Sequence, residues 1–141
     1  MHRLLRQAAG HSRDFQGIPI TVEHAKGTER TGTSPDGEDW SREMLCDYGY
    51  IQEVTPEKGD GECLDVYVGP DEDAPEAFVV EQLKENGDFD EFKIILGTES
   101  EGEARELYLG HYPEGWDSNI GDVFAVSVKR LKEFVDAEHD N

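Results

Sequence analysis

Three acids, Asp60, Glu62 and Asp65, crowd into six residues of the stretch EKGDGECLDVYVG, 57–69. Glycines on either side of Asp60 let the backbone turn tightly and aim carboxylates inward. If Leu64, Val66 and Val68 face a core, the period-two geometry of a strand puts Asp65 and Tyr67 together on the other face. Carboxylates that converge repel one another and resist ionisation unless a cation relieves them. Hard, oxygen-seeking divalent ions do so, and Mg²⁺ held by a few carboxylates together with substrate phosphates is the best match. The competing reading is a Gly-rich acidic turn, solvated and without a ligand. A Ca²⁺ module ranks last, because the loop lacks the alternating ligand register and terminal bidentate glutamate of an EF-hand.

The whole chain narrows the partners. Its 141 residues hold 33 acids against 13 lysines and arginines, for a formal net charge of −20. Binding nucleic acid needs a basic stripe that releases counterions, so that class is excluded. The one basic concentration, MHRLLRQAAGHSR at 1–13, is too short to form a binding face. Stretches such as PDEDAPE (70–76) and DAEHDN (136–141) read as solvated surface. Cys46 and Cys63 have neither a disulfide framework nor metal-ligand spacing, and the five histidines are scattered, so a reducing compartment and no zinc are expected. With no apolar run long enough for a bilayer and no signal-peptide core, the expected place is the cytoplasm, without a membrane partner.

One domain of this length buries roughly two thirds of its unfolded surface and needs no staples. Residues 1–16 read as a polar N-terminal extension with a short helix over His2–Ala9. GIPITVE (17–23) reads as a first or edge strand, with Pro19 near its start. KGTERTGTSPDGEDW (26–40) predicts a hairpin through PDG, and SREMLCDYGYIQEV (41–54) one or two strands bent at Gly49. CLDVYVG (63–69) is a strand, and ENGD joins APEAFVVEQLK to FDEFKIIL as a second hairpin. Thr98 and Glu101 match a capping box opening a helix that closes at Gly110. DVFAVSV (122–128) is a last strand, and Ser127 caps a helix with Val128, Leu131 and Val135 on one face. The sum is mainly β, an α+β chain: a small antiparallel barrel with two C-terminal helices packed outside.

DYGYI (47–51), a short spacer and GDGECLDVYVG (59–69) resemble the signature of soluble inorganic pyrophosphatases with an OB-like barrel. The match is closest to the short pyrophosphatase-like domain of bacteriophages and prophages. GIPITVEHAKGTERTGTSPDGEDW resembles the opening of that domain, DVYVGP its strand after the loop, FVVEQ with FDEFKIILG its central hairpin, and EARELY its late helix. The resemblance spans residues 17–137, leaving 138–141 as an acidic tail.

It implies Mg²⁺-dependent hydrolysis of pyrophosphate, or a similar small phosphoanhydride, by a metal-activated water. Two or more Mg²⁺ ions would sit on Asp60, Glu62 and Asp65, with Asp90, Glu91, Asp88 and Glu23 as further ligands. Asp60, Glu62 and Asp65 are also the catalytic set, Glu62 orienting the water. Lys93, Arg30, Tyr48, Tyr108 and Tyr112 would hold the phosphates. Four departures stand against the family pattern: Glu62 for aspartate, Cys63 for proline or a polar residue, Thr21 for a phosphate-binding lysine and Met44 for a tyrosine. They support an alternative: a weak or inactive barrel serving as a structural protein of a phage particle. The resemblance thus allows a homo-oligomer or phage-particle proteins as partners, and the host cytoplasm or the virion as the location.

Overall fold

A computed structural model describes residues 11–51 and 64–139. The predicted helix at His2–Ala9, together with Asp60, Glu62 and Cys63, lies outside the described residues. Among the described residues there are nine strands: β1 (His11–Phe15), β2 (Ile18–His24), β3 (Glu29–Thr33), β4 (Asp39–Glu43), β5 (Asp47–Ile51), β6 (Asp65–Val68), β7 (Glu76–Leu83), β8 (Phe89–Leu96) and β9 (Ile120–Ser127). The described residues also form two α-helices, α1 (Glu101–Leu109) and α2 (Val128–His139), and a 3₁₀ turn at Trp116–Asn119.

Seven strands form one sheet in the order β1-β2-β5-β6-β8-β7-β9, and β3 pairs with β4 in a separate two-stranded sheet. The mainly β, α+β class with two late helices is borne out. The sheet, however, is mixed and open. β6 runs parallel to β8, because β7 follows β6 in sequence but pairs on the far side of β8. Among the described residues no ladder joins β1 to β9, so it does not close into a barrel.

Both faces of the central strands are covered, which explains their nearly continuous apolar runs. Val66, Val68, Ile94 and Leu96 point into a core completed by Phe15, Ile18, Ile20 and, from α2, Val128, Leu131 and Val135. Their alternating neighbours Tyr67 and Ile95 point the other way, into a second core with Tyr48, Met44, Ala104 and Tyr108. Ser127 Oγ accepts from the Arg130 amide and caps α2 as the sequence predicts. The cap of α1 is Ser100, not Thr98: Ser100 Oγ accepts from the Glu103 amide at 3.2 Å, and Glu103 reaches back to the Glu99 amide at 3.0 Å. Pro19 is likewise not on an edge strand, since β2 lies between β1 and β5 and Pro19 faces β1 opposite Asp14.

Candidate active site

The parallel register of β6 and β8 sets Asp65 beside Lys93, on the face that Tyr48 reaches from β5. Lys93 Nζ lies 3.0 Å from Asp65 Oδ2 and donates to the Tyr48 hydroxyl at 2.9 Å. Tyr48 in turn donates to the same Asp65 oxygen at 3.1 Å. Glu91, one turn of the pleat earlier on β8, approaches Lys93 at 3.3 Å. Thus Asp65, Tyr48 and the pair Lys93 and Glu91, named from three separate stretches of sequence, meet in one place. The Lys93 side chain is only 7% exposed and that of Asp65 15%, so the pair sits largely away from water.

Burial alone disfavours the Lys93 ammonium, but the surrounding oxygens of Tyr48, Asp65, Tyr112 and Glu91 outweigh it and hold its pKa above the usual lysine range. Burial raises the Tyr48 hydroxyl's pKa as well, against the pull of Lys93. Glu91 keeps its proton to higher pH than an ordinary glutamate, through burial and repulsion by Asp65 that Lys93 only partly offsets. The constellation therefore carries a permanent cation beside one carboxylate and a second that titrates late.

Arg30 lies over the Tyr48 ring, 5.0 Å from its centroid. Directly across the β3–β4 hairpin stands Arg42. Like charges opposite one another on a hairpin are destabilising, and among the described residues neither arginine has a carboxylate ion pair. Arg30, Arg42 and Lys93 line one cavity of about 700 Å³ together with His111 and Tyr112. In a chain of net charge −20, three cations thus converge on one cavity, whose lining also includes the carboxylates of Asp36, Glu38 and Asp39.

His111 braces this wall as a neutral ring. Its Nε2 accepts from the Leu45 amide at 3.0 Å, and its Nδ1–H donates to the Leu107 carbonyl at 2.8 Å. Burial, with added repulsion from Arg30 and Arg42, lowers its pKa despite the Leu107 bond. His24, stacked near Tyr48, is lowered by burial and by Arg30. In the unfolded chain both rings take a proton near the ordinary pH of about 6.5, and the folded chain takes it only lower. Stability therefore falls as pH drops through about 6.5, while Glu91 works in the opposite sense. Urea unfolding at pH 7.5 and pH 5.5 is expected to show this loss, and His111→Gln to make it smaller. An unchanged slope in the variant would show that His111 does not titrate with unfolding.

The remaining candidates are spread more widely. Tyr112 lines the cavity, accepts from the Tyr67 hydroxyl at 3.1 Å and donates to Gln82 at 3.3 Å. Tyr108 is fully buried: it donates to Gln82 at 2.6 Å and accepts from the Trp116 indole at 2.8 Å, so it is core framework here and not on the cavity wall. Asp90 accepts from the Gln82 amide at 2.9 Å. Asp88 sits in the β7–β8 turn, bonded to Asn86. Glu23 is the extra residue of a bulge in β2, next to His24. Arg42, His111 and Gln82 were not picked out by sequence reasoning. Arg42 had a signal: a hairpin turning at Asp36 sets Arg30 and Arg42 at equal distances from the turn.

The carboxylate side of the site is less complete than the cationic side. Among the described residues no three His, Cys, Asp or Glu side chains gather as a metal site. Asp65 brings one largely buried carboxylate to the place where Asp60 and Glu62 would have to join it, and its chemistry fits a hard cation. The model of the inorganic pyrophosphatase family matches residues 8–136, nearly the full length. The chain belongs to the inorganic pyrophosphatase family. No curated protein and no solved structure matches it. Among the described residues no helix is long and apolar enough to cross a membrane.

Proposed function

We propose that this pyrophosphatase-family chain hydrolyses inorganic pyrophosphate, or a similar small phosphoanhydride, to phosphate with Mg²⁺. The observation that carries the reading is the largely buried Lys93–Asp65–Tyr48 cluster, beside which Arg30 and Arg42 line the same cavity as Lys93 without carboxylate partners of their own among the described residues. Asp60, Glu62 and Asp65 would hold the metal, with Glu91, Asp90, Asp88 and Glu23 as further candidates. Bound there, Mg²⁺ supplies charge neutralisation and water activation.

The chain's own residues do the rest. Arg30 and Arg42 take the non-bridging oxygens and hold the anhydride in line. Lys93 neutralises charge that builds on the departing phosphate, its ammonium steered by Tyr48 and kept protonated by its neighbours. Tyr112 donates from the cavity wall. Glu62 would orient the attacking water, whose proton passes to solvent. No covalent intermediate is needed.

A second reading, a pyrophosphatase-like domain that has lost turnover and serves as a structural protein of a phage particle, has one supporting observation. Thr21 and Met44, where family members are expected to carry a lysine and a tyrosine, are both buried, at 7% and 2% exposure, and neither brings a charge to the cavity. Phosphate release from pyrophosphate, with Mg²⁺ and with chelator, separates the two. Release that needs Mg²⁺ supports the hydrolase; none with any divalent ion supports the structural protein and its phage partners.

A further inference from the structure

The cavity at Lys93 is larger and more aromatic than bare pyrophosphate requires. It encloses about 700 Å³, within the roughly 300–1,000 Å³ of sites that hold drug-sized organic ligands. Both tryptophans of the chain, Trp40 and Trp116, line it.

The hairpin register orders its contents. Arg30 pairs with Arg42, the next same-face pair toward the turn is Gly32 with Trp40, and the acids Asp36, Glu38 and Asp39 follow. Two residues of strand separate Arg42 from Trp40 on one face, about 7 Å. The Trp40 indole lies across the missing side chain of Gly32: a Cβ there would come within 2.4 Å of its Cζ2. This holds the ring while leaving Trp40 38% exposed. Trp116 is backed by Tyr112, stacked at 4.7 Å and 9°. Beyond the rings, carboxylates repel a second anionic group and accept hydrogen bonds from hydroxyl or amino donors; Asp39 is steadied by the Thr33 hydroxyl at 2.9 Å.

Cations, then an aromatic platform one strand step away, then acceptors: this sequence fits phosphates, a planar base and donor groups. Resting on the reading of this site as a phosphoanhydride hydrolase, we propose that its substrate is a nucleoside di- or triphosphate, with phosphates on Arg30, Arg42 and Lys93 and the base on Trp40. In the reaction, the oxygen of water bonds to the terminal phosphorus as the bridging P–O bond breaks. The electron pair leaves on the shortened nucleoside phosphate, and the water's proton passes to solvent.

Because both tryptophans line the cavity, intrinsic fluorescence of the full chain reports binding without turnover, in chelator. ATP and ADP are expected to bind at least about ten-fold more tightly than pyrophosphate, the range of one base–aromatic stack. Trp40→Leu should remove that advantage and leave pyrophosphate affinity within about two-fold, while Trp40→Phe keeps most of it. Equal affinities for ATP and pyrophosphate, or equal losses in Trp40→Leu, would overturn the proposal. Phosphate release run in parallel keeps the two readings apart. Cleavage of pyrophosphate with no preference for ATP sinks the nucleotide proposal alone; tight ATP binding with no cleavage of either compound supports the pocket's ligand and sinks the hydrolase.

Discussion

Lys93→Met is expected to lower kcat/KM for phosphate release from pyrophosphate by about 10²–10³-fold, the usual effect of removing one preorganised charge at a developing anion. Methionine keeps the length and apolar stem of the side chain but not its charge. Asp65 and Glu91, which now share that ammonium at 3.0 and 3.3 Å, would lose it in the variant, the Asp65 carboxylate in a largely buried place. Stripping one member from such a pair costs about 3–5 kcal/mol of stability. Activity should thus be measured well below the variant's melting point, with urea unfolding alongside. Since its neighbours raise the pKa of Lys93, loss of its charge cannot limit activity anywhere in the neutral range. A variant with unchanged kcat/KM would remove Lys93 from the phosphate site and leave it a structural cation.

The second large effect is expected from a residue that touches no ligand. Gly49 sits in the centre of β5, between the two tyrosines of DYGYI, and a Cβ there would lie 1.9 Å from the Thr21 carbonyl oxygen and 2.9 Å from the Val22 Cα. Both obstacles are backbone of β2, itself fixed between β1 and β5, so neither can swing aside as a side chain would. Gly49→Ala is expected to cost more than about 4 kcal/mol, and Tyr48, one residue away, would lose its aim at Lys93. Circular dichroism and urea unfolding decide this; a cooperative transition within about 1 kcal/mol of the parent would show that the strands can separate without penalty. The glycine between the tyrosines is thereby explained by close strand approach, where sequence reasoning expected a bend.

Local patterns carried much of the fold. Asn86-Gly87 between apolar runs marked the β7–β8 hairpin, PDG marked the β3–β4 hairpin, and the spacing of Val128, Leu131 and Val135 marked the buried face of α2. The alternation through Leu64–Val68 placed Asp65 and Tyr67 on a common face, as found. What failed was either local ambiguity or long range. Thr98/Glu101 and Ser100/Glu103 satisfy the same capping pattern, and only the backbone path chooses between them. β1, HSRDF, reads as polar extension because Phe15 alone enters the core and the rest of the strand is held by its ladder to β2. The parallel pairing of β6 with β8 joins segments separated by a whole hairpin, and no local signal encodes it.

The same non-local pairing made the site only half legible. Asp65, Lys93 and Tyr48 were named by motif resemblance, but their contact depends on that parallel register. Tyr108 was named from the same helix motif, and the α1 packing that buries Ala104 buries it too. Arg42 stayed hidden because its only credential is to stand opposite Arg30.

The proposed hydrolysis rests on the negative charge at Asp65. Asparagine there preserves size and a hydrogen-bond acceptor for Lys93 and Tyr48 while deleting that charge. The decisive measurement is steady-state phosphate release from pyrophosphate with Mg²⁺ by the parent and by Asp65→Asn, both shown folded by their melting curves. A drop of about 10³-fold in the variant is predicted; equal rates in the two proteins would contradict the assignment of this site.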